Sequence, residues 1–178
     1  MEKKFPKCLL LVAFLILCFQ TSALAGSGTW PFQLAFVTPV QIFSEESSIH
    51  GLRINLIYGS NEDVYGLDLG LINRARGNMK GFQWGLVNLV DGDANAWQNG
   101  FINSVGGSMT GLQVGFYNHA GNLSGFQWGA INHAESVNGL QLGVFNSTQN
   151  LHGLQIGVLN FNWSGEPLTF LPIVNFSF

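Results

Sequence analysis

The residues best placed to do chemistry are two histidines. His119 and His133 occupy the same place in adjacent copies of a short repeat, so the chain could set their imidazoles side by side. Two neutral imidazoles with no carboxylate or thiolate are an incomplete zinc set, and the equivalent residue in the next copy is Ser147. No metal site is expected. His50 and His152 share another place, but many copies separate them. A nucleophile, base and acid would need rigid neighbouring supports; Asp68, Asp91 and Asp93 lie well before the paired histidines, and no strand-to-helix elbow carries a serine. None of the glycine-rich stretches opens a helix or is followed by the lysine of a phosphate loop. The expectation is a non-enzyme with no catalytic residue and no cofactor.

Other polar signals are weaker. Asn122-Leu123-Ser124, Asn146-Ser147-Thr148 and Asn162-Trp163-Ser164 match the glycosylation pattern, but such matches arise by themselves in an asparagine-rich repeat. Trp84 and Trp128 share one place, with Phe82 and Phe126 two residues earlier. They suit core packing, an aromatic girdle at a membrane, or an exposed platform for a glycan or apolar partner. Charge excludes a nucleic-acid partner: after residue 50 the cations are Arg53, Arg74, Arg76 and Lys80, and the net charge of the chain is -3. Charged residues make up 10% of the chain against about 25% in an average soluble domain. Disorder is excluded by a hydrophobic content of 47%.

The first residues read as an export signal. Lys3, Lys4 and Lys7 precede an apolar run from Cys8 to Phe19, and Ala23-Leu24-Ala25 offers small residues for cleavage before Gly26. The run has 12 residues, short of the roughly 20 a membrane-spanning helix needs. A lipid-modified Cys18 is disfavoured by the bulky Leu17 before it. Removing residues 1–25 removes both cysteines, so disulfides and thiol chemistry drop out of the mature chain.

What must position everything else is the repeat. Gly111-Leu112-Gln113-Val114-Gly115-Phe116-Tyr117-Asn118 recurs at Gly125–Asn132, Gly139–Asn146 and Gly153–Asn160, and upstream at Gly81–Asn88, Gly66–Asn73 and Gly51–Tyr58. Ala96–Asn103 and Leu168–Asn175 are degenerate copies, the latter with Pro172 in the second glycine slot. The starts at 51, 66, 81, 96, 111, 125, 139, 153 and 168 step by 14 or 15. Two residues before most starts sits another apolar side chain: Ile49, Val64, Met79, Met109, Leu123, Val137, Leu151. Within a copy, apolar residues alternate with Gly, Gln and Gly, the period of a strand. A helix would carry two glycines in its body at nearly 1 kcal/mol each. Stretches such as His119-Ala120-Gly121-Asn122 between copies have turn chemistry. Phe32–Phe43 predicts one or two further strands broken at Pro39. The chain is therefore all-β: residues 1–25 signal peptide, 26–48 an N-terminal β segment or cap, 49–178 the repeat domain.

Two architectures fit. In a β-solenoid of about nine units, coils stack about 4.8 Å apart and like lies over like. The asparagines Asn73, Asn88, Asn103, Asn118, Asn132, Asn146, Asn160 and Asn175 then form an amide ladder, and Gln83, Gln98, Gln113, Gln127, Gln141 and Gln155 a second. Arg53 and Asp68 begin the glutamine column as an opposite-charge pair on neighbouring strands. The rival is an up-and-down outer-membrane β-barrel of about ten strands, acting as pore or anchor. Ten residues from Leu123 to Asn132 would span a bilayer at a tilt, and the ending Phe176-Ser177-Phe178 resembles the terminal aromatic of such barrels. Uniformly short connections and a lumen of Gly and Gln speak against it.

The unit Gly-Leu-Gln-apolar-Gly-apolar-apolar-Asn, together with Val40-Gln41, Gly51 to Gly59 and the ending Phe170 to Phe176, resembles the "surface repeat" family of exported proteins of Gram-negative bacteria, over about residues 31–178. The resemblance implies a surface or outer-membrane location and supplies no catalytic residues. Ala96-Trp97 and Asn99 depart from the pattern, and a bulge is expected in that coil. The function expected is an exported non-enzymatic surface scaffold, with flat ladder faces supporting structure or adhesion. The ligand is unknown, and outer-membrane association and self-association both stay open.

Overall fold

The computed structural model describes residues 27–165 and 168–178, all-β and without a helix among them. The expected signal peptide, residues 1–25, and Gly26 at the start of the expected cap lie outside the described residues. Ten strands follow in order: β1 (Thr29–Val37), β2 (Val40–Gln41), β3 (Ser48–Asn61), β4 (Val64–Ala75), β5 (Met79–Trp84), β6 (Val87–Val90), β7 (Ala94–Asn99), β8 (Ile102–Val114), β9 (Tyr117–Asn162) and β10 (Phe170–Ser177).

Successive copies pair in parallel and in register: Gly51 lies beside Gly66, then Gly81, Ala96, Gly111 and Gly125. This is a β-solenoid of about seven turns, about 34 Å along the stack at the usual strand spacing. Parallel pairing between neighbours excludes the up-and-down barrel, whose strands alternate in direction. The register through Ala96 shows no shift on either side, so the expected bulge in the fourth coil is absent. Asn99 takes an outward place of that coil and leaves the wall unaltered. Between the coils from β3 to β9 shifts lie at Asn55/Tyr58, where Asn55 replaces a glycine, and at Val105/Ser108, where coils of 15 residues give way to coils of 14; the others belong to the end strands.

Both ends are closed by strands that break the pattern. At the start, β1 runs parallel to β3, β2 folds back onto β1, and Trp30 stacks on Phe43 with ring centroids 4.2 Å apart. At the other end the ninth copy corrects the expectation. β10 runs antiparallel to the last coil, so Asn175 faces Gln155 and not Asn160. Pro172 cannot donate to a ladder, and the unit is nearly palindromic about its Gln, so reversing it costs little in pattern. The reversal places Ile173 at φ 70, a strained value for a β-branched residue, where the register shifts. Pro31 and Pro172 in the end strands discourage further pairing at either end.

Each coil is two short walls facing one another, and the cavity between them is narrow. Only four side chains per coil point inward: the apolar residue two before the leading glycine, the Gln, the Asn, and the residue two after the Asn. The first and last of these form the apolar core, with Val64, Met79, Ala94, Met109, Leu123 and Val137 on one wall and Ala75, Val90, Val105, Ala120 and Ala134 on the other.

Candidate functional site

The Gln column lies inside the stack and is one unbroken chain of hydrogen bonds. Gln155 Nε2 donates to Gln141 Oε1 at 2.8 Å, Gln141 to Gln127 at 2.8 Å, Gln127 to Gln113 at 2.7 Å, Gln113 to Gln98 at 2.8 Å and Gln98 to Gln83 at 2.7 Å. Gln83 then donates to Asp68 Oδ2 at 2.8 Å, and Arg53 grips the same carboxylate with two bonds of 2.7 Å. Both charged groups are wholly buried. Gln113 Nε2 also reaches the carbonyl of His119 on the opposite wall at 3.0 Å, which fixes the width of the coil.

The Asn column runs beside it with the opposite polarity. Asn73 Nδ2 donates forward to Asn88 Oδ1 at 2.9 Å, and the pattern continues through Asn103, Asn118, Asn132, Asn146 and Asn160 at 2.7–2.9 Å. The second hydrogen of each amide bonds a carbonyl in the following coil; Asn118 Nδ2, for example, meets Trp128 O at 3.0 Å. The first rung is Asn55, which reaches Asn73 Oδ1 at 2.8 Å from the glycine slot because Gly59 stands opposite Asn73, where the Asn would be, and leaves its place to the Asn55 side chain. Asn175 is not a rung. Its amide sits buried against Gln155 at the end of the other ladder, and Gln155 Oε1 and both Asn175 amide atoms have no partner. The expected flat ladder faces therefore do not exist as surfaces: every rung is buried. A low dielectric strengthens such amide chains and punishes any gap in them.

The glycines follow from the same geometry. Gly125 has φ 142, and a Cβ there would run into the carbonyl oxygen of Gly111 below it. At Gly129 a Cβ would strike Gly115 O and lie 2.6 Å from Asn118 Nδ2. Side chains at these corners would displace the ladder itself.

Large apolar residues point outward. Trp84, Trp97 and Trp128 are 55%, 50% and 55% exposed, which removes the core-packing reading of Trp84 and Trp128. Leu56, Leu71, Leu86, Phe101, Phe116, Val144 and Val158 form one exposed column just past the second glycine. Ile54, Leu69, Trp84 and Trp128 belong to the column before it, and shallow apolar grooves lie between the two over Gly70, Gly85, Gly129 and Gly143. Alternation along the chain tells which residues share a face but is blind to which face is inside. The signal was size: a coil of 14 residues cannot enclose Trp and Phe at four places.

The exposed charges gather at the opposite edge, in and beside the turns. Arg74 donates from Nε and Nη2 to the single oxygen Asp91 Oδ2 at 3.2 and 2.7 Å, and Arg76 lies 3.9 Å from Glu45 and 3.8 Å from Glu62. A turn column unnoticed in the sequence stitches this edge: Asn78 N donates to Asp63 Oδ1 at 2.7 Å, Asp93 N to Asn78 Oδ1 at 3.0 Å and Ser108 N to Asp93 Oδ1 at 2.7 Å.

His119 and His133 are stacked as the repeat predicts, with ring centroids 5.6 Å apart. Ser104 Oγ lies 3.3 Å from His119 Nδ1. Partial burial lowers the pKa of His119 below its ordinary 6.5, the neighbouring His133 lowers it further, and Glu135 opposes both. Among the described residues no group of three or more His, Cys, Asp and Glu could hold a metal ion. No family model, curated protein or solved structure matches the chain.

Proposed function

We propose that this chain is an exported, non-enzymatic scaffold of the cell surface, a short rod that displays the same outward columns coil after coil. One observation carries the reading: the polar residues that the repeat retains are spent on internal ladders, so the regular outer columns are what remains for contact. The export-signal pattern of residues 1–25 and the resemblance to the surface repeat family supply the location. The pore reading has no support in a stack of parallel coils closed by its own side chains; the anchoring role is retained.

The test is fractionation of a Gram-negative host expressing the full chain, with N-terminal analysis of the product and protease treatment of intact cells. The expected product begins at Gly26, leaves the cytoplasm and is reached by protease from outside. Cytoplasmic retention of a chain that keeps residues 1–25 would overturn the reading.

A further inference from the structure

We propose that the apolar edge of the solenoid is a lipid-docking surface, seated in one leaflet of a bilayer while the turn edge stays in water. The proposal deepens the surface-scaffold reading and takes from it only the location. Four observations select a lipid leaflet as the occupant.

The first is the partition of polarity. From Leu52 to Leu159 no side chain charged at neutral pH faces outward between the leading glycine and the Asn; the only two there, Arg53 and Asp68, are sealed inside against each other. The exposed charges, Glu62, Asp63, Arg74, Arg76, Lys80, Asp91, Asp93 and Glu135, all sit at or beside the turns. A water–lipid boundary imposes this division.

The second is extent. From Leu52 to Leu159, 15 large apolar side chains are exposed. At about 70 Å² each, half of what a small aromatic buries, the total is on the order of 1,000 Å², above the roughly 300–600 Å² of the largest patch on a typical monomer.

The third is shape. Leu67 and Leu69 project from one wall, Leu71 and Ile72 from the other, and because the inward residues of the two walls face each other, these flanks look in opposite directions. A flat protein partner or a second copy covers one flank, whereas a fluid covers both.

The fourth is depth and satisfaction. The apolar zone runs three to four residues from the corner, about 10–13 Å at strand rise, within one leaflet of roughly 15 Å. Backbone groups there are consumed by coil-to-coil pairing, and every side-chain amide there except that of Asn99 belongs to the ladders, as hydrocarbon requires.

Tryptophan fluorescence in vesicles tests this with the full chain. Residues 1–29 contain no tryptophan, so the apolar run at the start cannot produce the signal. In the variant Trp30→Phe/Trp163→Phe only Trp84, Trp97 and Trp128 emit. With phosphatidylcholine vesicles carrying brominated acyl chains, more than half of that emission should be quenched. Raising the salt should change nothing, since the contact carries no charge. Adding Leu86→Glu and Val144→Glu, or Phe116→Glu at an independent site, should weaken the quenching roughly 10-fold or more. The control Thr110→Glu, at an exposed place beside Met109, should retain it, with far-UV circular dichroism confirming the β signal of each variant. Unquenched emission, equal loss in the control, or a stable dimer that shields the tryptophans from vesicles would each overturn the proposal. Cytoplasmic retention in cells would sink the surface-scaffold reading and leave the vesicle result standing.

Discussion

Cutting one rung in the middle of the Asn ladder is the sharpest probe of this architecture. In Asn118→Leu the branching and the number of heavy atoms are kept, but three bonds disappear: Asn103 Nδ2 to Asn118 Oδ1 at 2.9 Å, Asn118 Nδ2 to Asn132 Oδ1 at 2.9 Å, and Asn118 Nδ2 to Trp128 O at 3.0 Å. What is left behind sets the magnitude. One N–H of Asn103 and Oδ1 of Asn132 are stranded inside the stack, at about 1–3 kcal/mol each, while the Trp128 carbonyl keeps the Gly115 N–H at 3.0 Å. A loss of about 2–6 kcal/mol is expected, a large fraction of the 5–15 kcal/mol that holds a typical domain. Because each coil touches only its neighbours, the cut also divides the array, and the urea transition should broaden as well as shift. The control is Asn95→Leu, an exposed place on the same scaffold, expected within about 0.5 kcal/mol of the parent. Unfolding followed by far-UV circular dichroism reads both. Asn118→Asp adds a sign: the carboxylate can accept from Asn103 but meets the oxygens of Asn132 and Trp128, so its proton is favoured. Burial raises the folded pKa of this Asp above its unfolded value near 3.9. The penalty should therefore be greatest at neutral pH and shrink as pH falls through that raised value. Should Asn118→Leu and Asn95→Leu melt alike, the ladder does not hold the stack and the reasoning fails.

Three further outcomes follow from the same geometry. Gly129→Val should cost several-fold more than Ser124→Val, since a Cβ at Gly129 strikes Gly115 O and the Asn118 amide while Ser124 points to solvent; equal melting temperatures would show that corner to be open. Arg53→Gln alone strands a buried carboxylate and should cost about 3–5 kcal/mol. Arg53→Gln/Asp68→Gln extends the glutamine column and should recover most of that loss, which denaturant unfolding of the single and double variants will show. His119 has its folded pKa lowered, so the stability it contributes is complete above pH 6.5 and is lost as pH falls through the lower folded value. His119→Gln should flatten the decline of Tm between about pH 7 and pH 5; an unchanged slope would mean that the imidazole pair does not govern it.

Much of the fold was legible in the sequence for a simple reason. When copies repeat every 14 or 15 residues and each keeps Gly, Gln, Gly and Asn at fixed places, stacking in register is the arrangement that gives every copy the same environment. The pairing of Arg53 with Asp68, the company of His119 and His133, and the run of Asn rungs from Asn73 to Asn160 all follow from that register and were readable as columns. Strand periodicity could also tell which residues share a face.

It could not tell which face was inside, nor the direction of a terminal strand. A one-dimensional alternation is symmetric under exchange of its two faces; the decision between them is volumetric, and is made only when two walls close around a space that admits Gln, Asn, Met and Ala but not Trp84 or Phe101. The turning of β10 is likewise decided by the end of the stack, where no further coil exists to supply a parallel partner and a near-palindromic segment satisfies the last edge just as well in reverse, at the expense of leaving Asn175 buried and unpaired.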